Sequence, residues 1–336
     1  MRLLPFSAIL SSIISVACCA EDVVTLATGK NDESRTRITG TIVDYNGEQL
    51  KLRRSTGSEI SLQSARVIAI ETTRTADHVT ANKLFAERDF VAALNLYRKA
   101  LSTEKRLWVQ RRIVAQRVWC LKALARYDRA CTEFLLLNRQ DPTAQYLAAI
   151  PLVWSSIQPS LKLEREATTW LISPNPVERL VGASWLLTVK RGEALAELQK
   201  LAGANDARVA HLASAQVWRT QIATADDDRV DTWQNQINRM PRELRAGAWF
   251  TVGRALAFKK QHEKAALTFM RLPILFPKHR RLSAAALRAA ATQLEELDRG
   301  SEAVGLYREL VDDFVDFPEA NEARGRLQAL SEADNN

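Results

Sequence analysis

The stretch "FVAALNLYRKAL", residues 90–101, decides the fold. Ala93, Tyr97 and Ala100 stand at helical spacing on one face, small–large–small. Upstream, Ala81 and Leu84 mark an earlier helix, and Arg88-Asp89 a turn between the two. Small alanines let two helices approach closely, while Phe90 and Tyr97 fill the space to the next pair. The stretch therefore reads as the second half of a helical hairpin.

The same order of slots returns three times. "VWCLKALARYDRACTEFLLLNRQDP" places Leu121, Tyr127, Ala130, Phe134, Leu137 and Pro142 in it. "WFTVGRALAFKKQHEKAALTFMRLPILFP" supplies Trp249, Gly253, Leu256, Ala265, Phe269, Leu272 and Pro277. "AAATQLEELDRGSEAVGLYRELVDDFVDFP" supplies Ala291, Leu294, Ala303, Tyr307, Leu310 and Pro318. The offsets lie near the 34-residue period of tetratricopeptide (TPR) repeats, and the chain resembles that family over 76–142 and 242–317. His262 and Gly300 depart from it, standing where the family usually has Tyr.

The middle, 143–241, is expected to be helical without the TPR order. "SPNPVERLVGASWLL" and "GANDARVAHLASAQVWR" resemble each other and look like HEAT-type helical pairs, through Val177, Ala183 and Trp185 against Val209, Ala213 and Val217. Residues 318–336 read as a capping helix started by Pro318, with a frayed tail.

Residues 21–75 differ. Short apolar–polar alternations (Ile38, Ile42, Val43, Leu50, Leu52, Ile60, Leu62, Val67, Ile68, Ile70) are separated by the turn sequences "YNGEQ" and "STGSE". Four to five short strands are expected. Their spacing resembles the small barrels of the Sm or Src-homology type. The fold class is thus mainly α: an α-solenoid of TPR-like helix pairs preceded by a small β-barrel.

"MRLLPFSAILSSIISVACCAEDVV" has an early Arg2, an apolar run, small residues and then acids. That is the layout of a secretory signal peptide over 1–20, and an exported protein of the periplasm or cell envelope is expected. Cys18 could instead be a lipidation site, although Ser15 stands where such signals usually carry Leu. A membrane contact is expected only in that case. Cys120 and Cys131 are read as two small core residues, with a disulfide as the alternative.

Of the chain's 336 residues, 26% are charged, and the net charge is +8. This balance suits anionic partners. No motif for catalysis stands out. His78, His211, His262 and His279 do not lie at metal-ligand spacing, and "GKNDES" lacks the rest of a phosphate loop. No enzyme activity, metal or cofactor is expected. Nucleic acid is not expected either, since no aromatic–basic interleaving defines a path.

The basic stretches are "EKRLWVQRRIVAQRVW" and "PKHRR", the latter holding Lys278, Arg280 and Arg281. The TPR resemblance implies a non-enzymatic interaction scaffold. Its free concave row would bind a protein or peptide, an acidic one where the basic residues face it. The candidate partner-binding residues are Asn82, Arg106, Gln116, Arg117 and Arg254. The alternative is an envelope-polymer binder acting through the N-terminal β unit.

Overall fold

The computed structural model describes residues 21–28, 34–143, 145–155 and 157–333. The expected export signal over 1–20, with Cys18, lies outside them. The chain divides into two units, 1–74 and 75–336.

The first unit is one antiparallel sheet of β1 (Asp22–Thr28), β2 (Ser34–Tyr45), β3 (Gln49–Arg53), β4 (Glu59–Gln63) and β5 (Val67–Glu71), in the order β4-β3-β2-β1-β5. Both expected turns form. Asn46 caps the first, its Oδ1 accepting from the amides of Glu48 and Gln49 at 2.9 Å each. In the second, Gly57 takes a φ of 85° that L side chains avoid. Val24, Leu26, Ile42, Leu50 and Leu52 form the core.

The expected barrel is not closed. The three-residue turn Ser64–Arg66 joins β4 to β5, so the sheet curls, but these two strands are its edges and share no ladder among the described residues. Val43, one of the apolar positions in the strand pattern, is exposed. The β2–β3 register passes from Ile42↔Leu52 to Asp44↔Lys51, which leaves Val43 as an unpaired bulge residue.

The second unit carries all fourteen α-helices seen among the described residues. Four hairpins match the four sequence copies: α1 (Ala76–Ala86) with α2 (Phe90–Thr103), α3 (Leu107–Ala123) with α4 (Tyr127–Gln140), α10 (Ala246–Phe258) with α11 (His262–Leu275), and α12 (Arg280–Glu295) with α13 (Gly300–Asp313). They share one turn geometry. Arg88, Ala125, Lys260 and Asp298 each adopt a left-handed conformation, with φ of 70°, 55°, 57° and 57°. The following amide reaches back in each, from Asp89 to Leu84 O, Arg126 to Leu121 O, Gln261 to Leu256 O and Arg299 to Leu294 O, always at 2.9 Å. These bonds satisfy carbonyls that a helix end leaves orphaned.

The slots fill as their spacing predicts. Ala81, Ala93, Ala100, Ala130, Ala265 and Ala303 are fully buried, as is Tyr97, while Phe134, Phe269 and Tyr307 are nearly so. Each large side chain contributes about 1.5–3 kcal/mol by burial. Gly253 leaves room for the Phe269 ring, which a Cβ would meet at 2.7 Å.

Between these hairpins lie α5 (Leu161–Leu171), α6 (Pro176–Leu186), α7 (Arg191–Leu201), α8 (Ala207–Trp218) and α9 (Asp227–Arg239), and α14 (Pro318–Ala333) follows them. Asn175 and Asp206 cap α6 and α8.

The middle, 143–241, expected as irregular or HEAT-like helical pairs, opens without an α-helix. A 3-10 turn (Gln145–Ala149) leads into a non-helical run up to Ser160. Pro151 and Pro159 lack the amide a helix needs and push the preceding residue toward extended backbone. No helix among the described residues is long and apolar enough to cross a membrane. Cys120 and Cys131 are buried free thiols, so the disulfide alternative is not what forms.

Candidate functional site

The non-helical run 150–155 fills interior space of the helical unit. Ile150, Leu152, Val153 and Trp154 are buried. No described strand lies beside them; the Ile150 and Leu152 amides reach Leu147 O and Ile150 O, and side chains supply further partners. Ser184 Oγ accepts from the Val153 amide, and Gln216 Nε2 donates to the Val153 carbonyl, both at 2.9 Å. Trp185 Nε1 donates to Pro151 O at 2.9 Å, and Arg219 Nη2 to Ser155 O at 3.2 Å. Lys122 Nζ donates to Ala149 O and Ile150 O at 3.1 Å each. An unmet polar group in such a place would cost about 1–3 kcal/mol.

One face of this run walls a cavity of about 160 Å³. Leu152, Val153, Trp154 and Ile157 form that wall, with Trp185 and Tyr127 beside them. Lys122, Lys278, His279, Arg280 and Arg281 supply the polar lining, and Glu319 is the one carboxylate. The basic "PKHRR" stretch thus becomes the turn between α11 and α12 and the first two residues of α12, on a cavity whose remaining lining is mostly apolar and aromatic.

Burial brings the Lys122 ammonium down to about 7, against a small opposing effect from Cys131. The two carbonyls and the Trp119 ring face, 4.0 Å from Nζ, favour its charged form. Burial, reinforced by the charges of Lys122 and Lys278, holds His279 well below the ordinary imidazole range. His279 is therefore neutral at pH 7, and its ring meets the Trp119 edge at 4.8 Å.

Arg280 lies over the Phe314 ring at 3.7 Å and donates to the Asp313 carbonyl. Burial, with the Arg88 charge, takes it down to about 10. Burial holds the Tyr127 phenol above its ordinary range, against the opposing charge of the neighbouring Arg281. Burial and the neighbouring Arg112 lower Lys278, although its side chain keeps solvent access at the mouth. Glu319 sits in the first turn of α14.

None of the five residues predicted as partner contacts lines this cavity. Asn82 is half-buried and accepts from Tyr97 Oη at 2.8 Å. Arg106 binds back to Glu104, with contacts of 2.9 and 2.8 Å, and tethers the start of α3. Gln116 is half-buried, its Oε1 without a hydrogen-bond partner. Arg117 is buried and paired with Glu133 at 2.9 and 2.6 Å, so it is a packing residue and not a free contact. Arg254 is half-buried, its pKa lowered by that burial. Its charge also lowers Arg219, after burial, to about 10.

Sequence reasoning missed Lys122, Trp154 and Trp185 as lining residues. The available signal was "IPLVW", an apolar run opened by a proline and too short for a helix. No protein-family model matches the chain, and no curated protein sequence is similar to it.

Proposed function

We propose that the protein is an exported, non-enzymatic interaction scaffold of the cell envelope, a TPR-like α-solenoid that holds an acidic segment of a protein partner. The observation that carries this reading is the convergence of Lys278, Arg280 and Arg281 with Lys122 on one cavity that holds a single carboxylate, Glu319. The shared turn geometry of four hairpins supports the repeat reading. The order of charged, apolar and small residues over 1–24 supports export.

The non-helical run 150–155 already occupies interior space, so a partner would engage residues 278–281 and the cavity mouth. Positive charge there attracts an acidic segment and speeds its encounter. The test is titration of the full chain with a fluorescent Glu/Ala peptide and with a Lys/Ala peptide of equal length. The acidic peptide should bind, and binding should weaken as salt rises to about 0.3 M, where screening is strong. Lys278→Glu with Arg281→Glu should abolish it. Equal binding of both peptides, or of neither, rejects the reading.

A further inference from the structure

Lys278 and Arg281 are the cavity's uncommitted cations. Lys122 is occupied by two carbonyls, and Arg280 by Asp313 and the Phe314 ring. Arg281 neighbours the Tyr127 phenol and lies 5.2 Å over the Phe317 ring. Lys278 has another cation, Arg112, as its charged neighbour. A carboxylate ion pair is absent from both residues among the described residues, although the chain forms many elsewhere. Among the described residues Glu319, the cavity's one carboxylate, forms no ion pair with either; half-burial of the Arg281 charge without such a partner is unfavourable, and an incoming anion relieves it. Opposite them stand Trp154, Trp185, Leu152 and Ile157, an apolar wall. At about 160 Å³ the space equals roughly five water molecules at 30 Å³ each, too little for a length of polymer.

We propose that this cavity binds a small organic oxyanion, with one carboxylate or phosphate group at Lys278 and Arg281 and an aromatic or branched apolar body against Trp154 and Trp185. The proposal rests on the same reading of residues 278–281 as an anion-facing surface, but it needs no peptide. The two cations supply charge-assisted hydrogen bonds, and the guanidinium fork suits either oxyanion. The aromatic wall selects against hydrated inorganic ions, which gain nothing from it.

The test is calorimetric titration of the full chain with 3-phenylpropionate, phenyl phosphate, 3-phenylpropionamide and inorganic phosphate. At least one aryl anion should saturate a single site, and the stronger of the two identifies the headgroup. The neutral amide and inorganic phosphate should each bind at least about tenfold more weakly than that anion, since each lacks one half of the recognition. Lys278→Met and Arg281→Met should each weaken the aryl anion by about tenfold, with circular dichroism unchanged. If Arg281→Met perturbs folding, the exposed Lys278→Met still decides.

The proposal is overturned if the amide matches the acid, if inorganic phosphate matches phenyl phosphate, if Lys278→Met has no effect, or if neither aryl anion saturates. Aryl-anion binding without acidic-peptide binding rejects the scaffold reading alone. The converse rejects the small-anion site alone.

Discussion

Gly247 has no room for a methyl group. A Cβ there would lie 1.8 Å from Trp154 Cε2, inside the indole. The glycine on α10 is thus what lets Trp154, and with it the non-helical run 150–155, reach its buried place. Gly247→Ala is expected to destabilise the protein by about 3 kcal/mol, the upper end for overpacking. Trp154→Ala alone should cost about 3–5 kcal/mol, and the two changes together less than their sum, because the second relieves the clash of the first. Urea unfolding of the three variants measures this. Additive losses would mean that the indole does not sit against α10 in solution.

At the scale of elements, the four hairpins share a turn that none closes with glycine. Arg88, Ala125, Lys260 and Asp298 all carry a Cβ in the left-handed region, where the cost is about 1–2 kcal/mol per residue. Ala125 is exposed and offers no side-chain contact to lose. Ala125→Gly is therefore expected to stabilise the protein by about 0.5–1 kcal/mol, the relief of strain exceeding the added freedom of the unfolded chain. A rise in thermal midpoint would show it, and a fall would place Ala125 outside that conformation.

These hairpins were legible in the sequence because their signals are local. Alanines at Ala93, Ala100, Ala265 and Ala303 recur at fixed offsets from one aromatic slot. The run 150–155 was not legible as an interior strap. Its partners Lys122, Ser184, Trp185, Gln216 and Arg219 lie 27 to 64 residues away, and no periodicity connects them.

At the scale of the molecule, the first and last hairpins of the helical unit meet. Arg88, in the α1–α2 turn, pairs with Asp313 at the end of α13 at 2.6 Å, across 225 residues. The Trp119–His279 contact joins α3 to the start of α12 nearby. The ion pair is half-exposed, so its worth is about 0–1 kcal/mol. Arg88→Glu and Asp313→Arg should each cost up to that amount, and the double swap should recover it at low salt. A double-mutant cycle by urea unfolding gives the coupling. The hydrogen bond from Arg88 holds the Asp313 carboxyl below its ordinary range. The coupling should therefore be present above the unfolded carboxyl value of 3.8 and be lost as pH falls through the lower folded value. Zero coupling at neutral pH would mean that the two ends part in solution.

By itself the sequence determined the two classes of segment, the four hairpins, the turns at Arg88-Asp89, Tyr45–Gln49 and Ser55–Glu59, and the basic stretch 278–281. Each is set by residues within a few positions of one another, through helical or strand periodicity and turn chemistry. Only the tertiary structure decided that the sheet stays unclosed, that Arg117 is spent on Glu133, and that residues 150–155 take up interior space. It alone brought Lys278 and Arg281 to a wall of Trp154 and Trp185. Those outcomes depend on which distant surfaces meet, and close packing with the need to satisfy buried backbone groups settles that only when the whole unit is assembled.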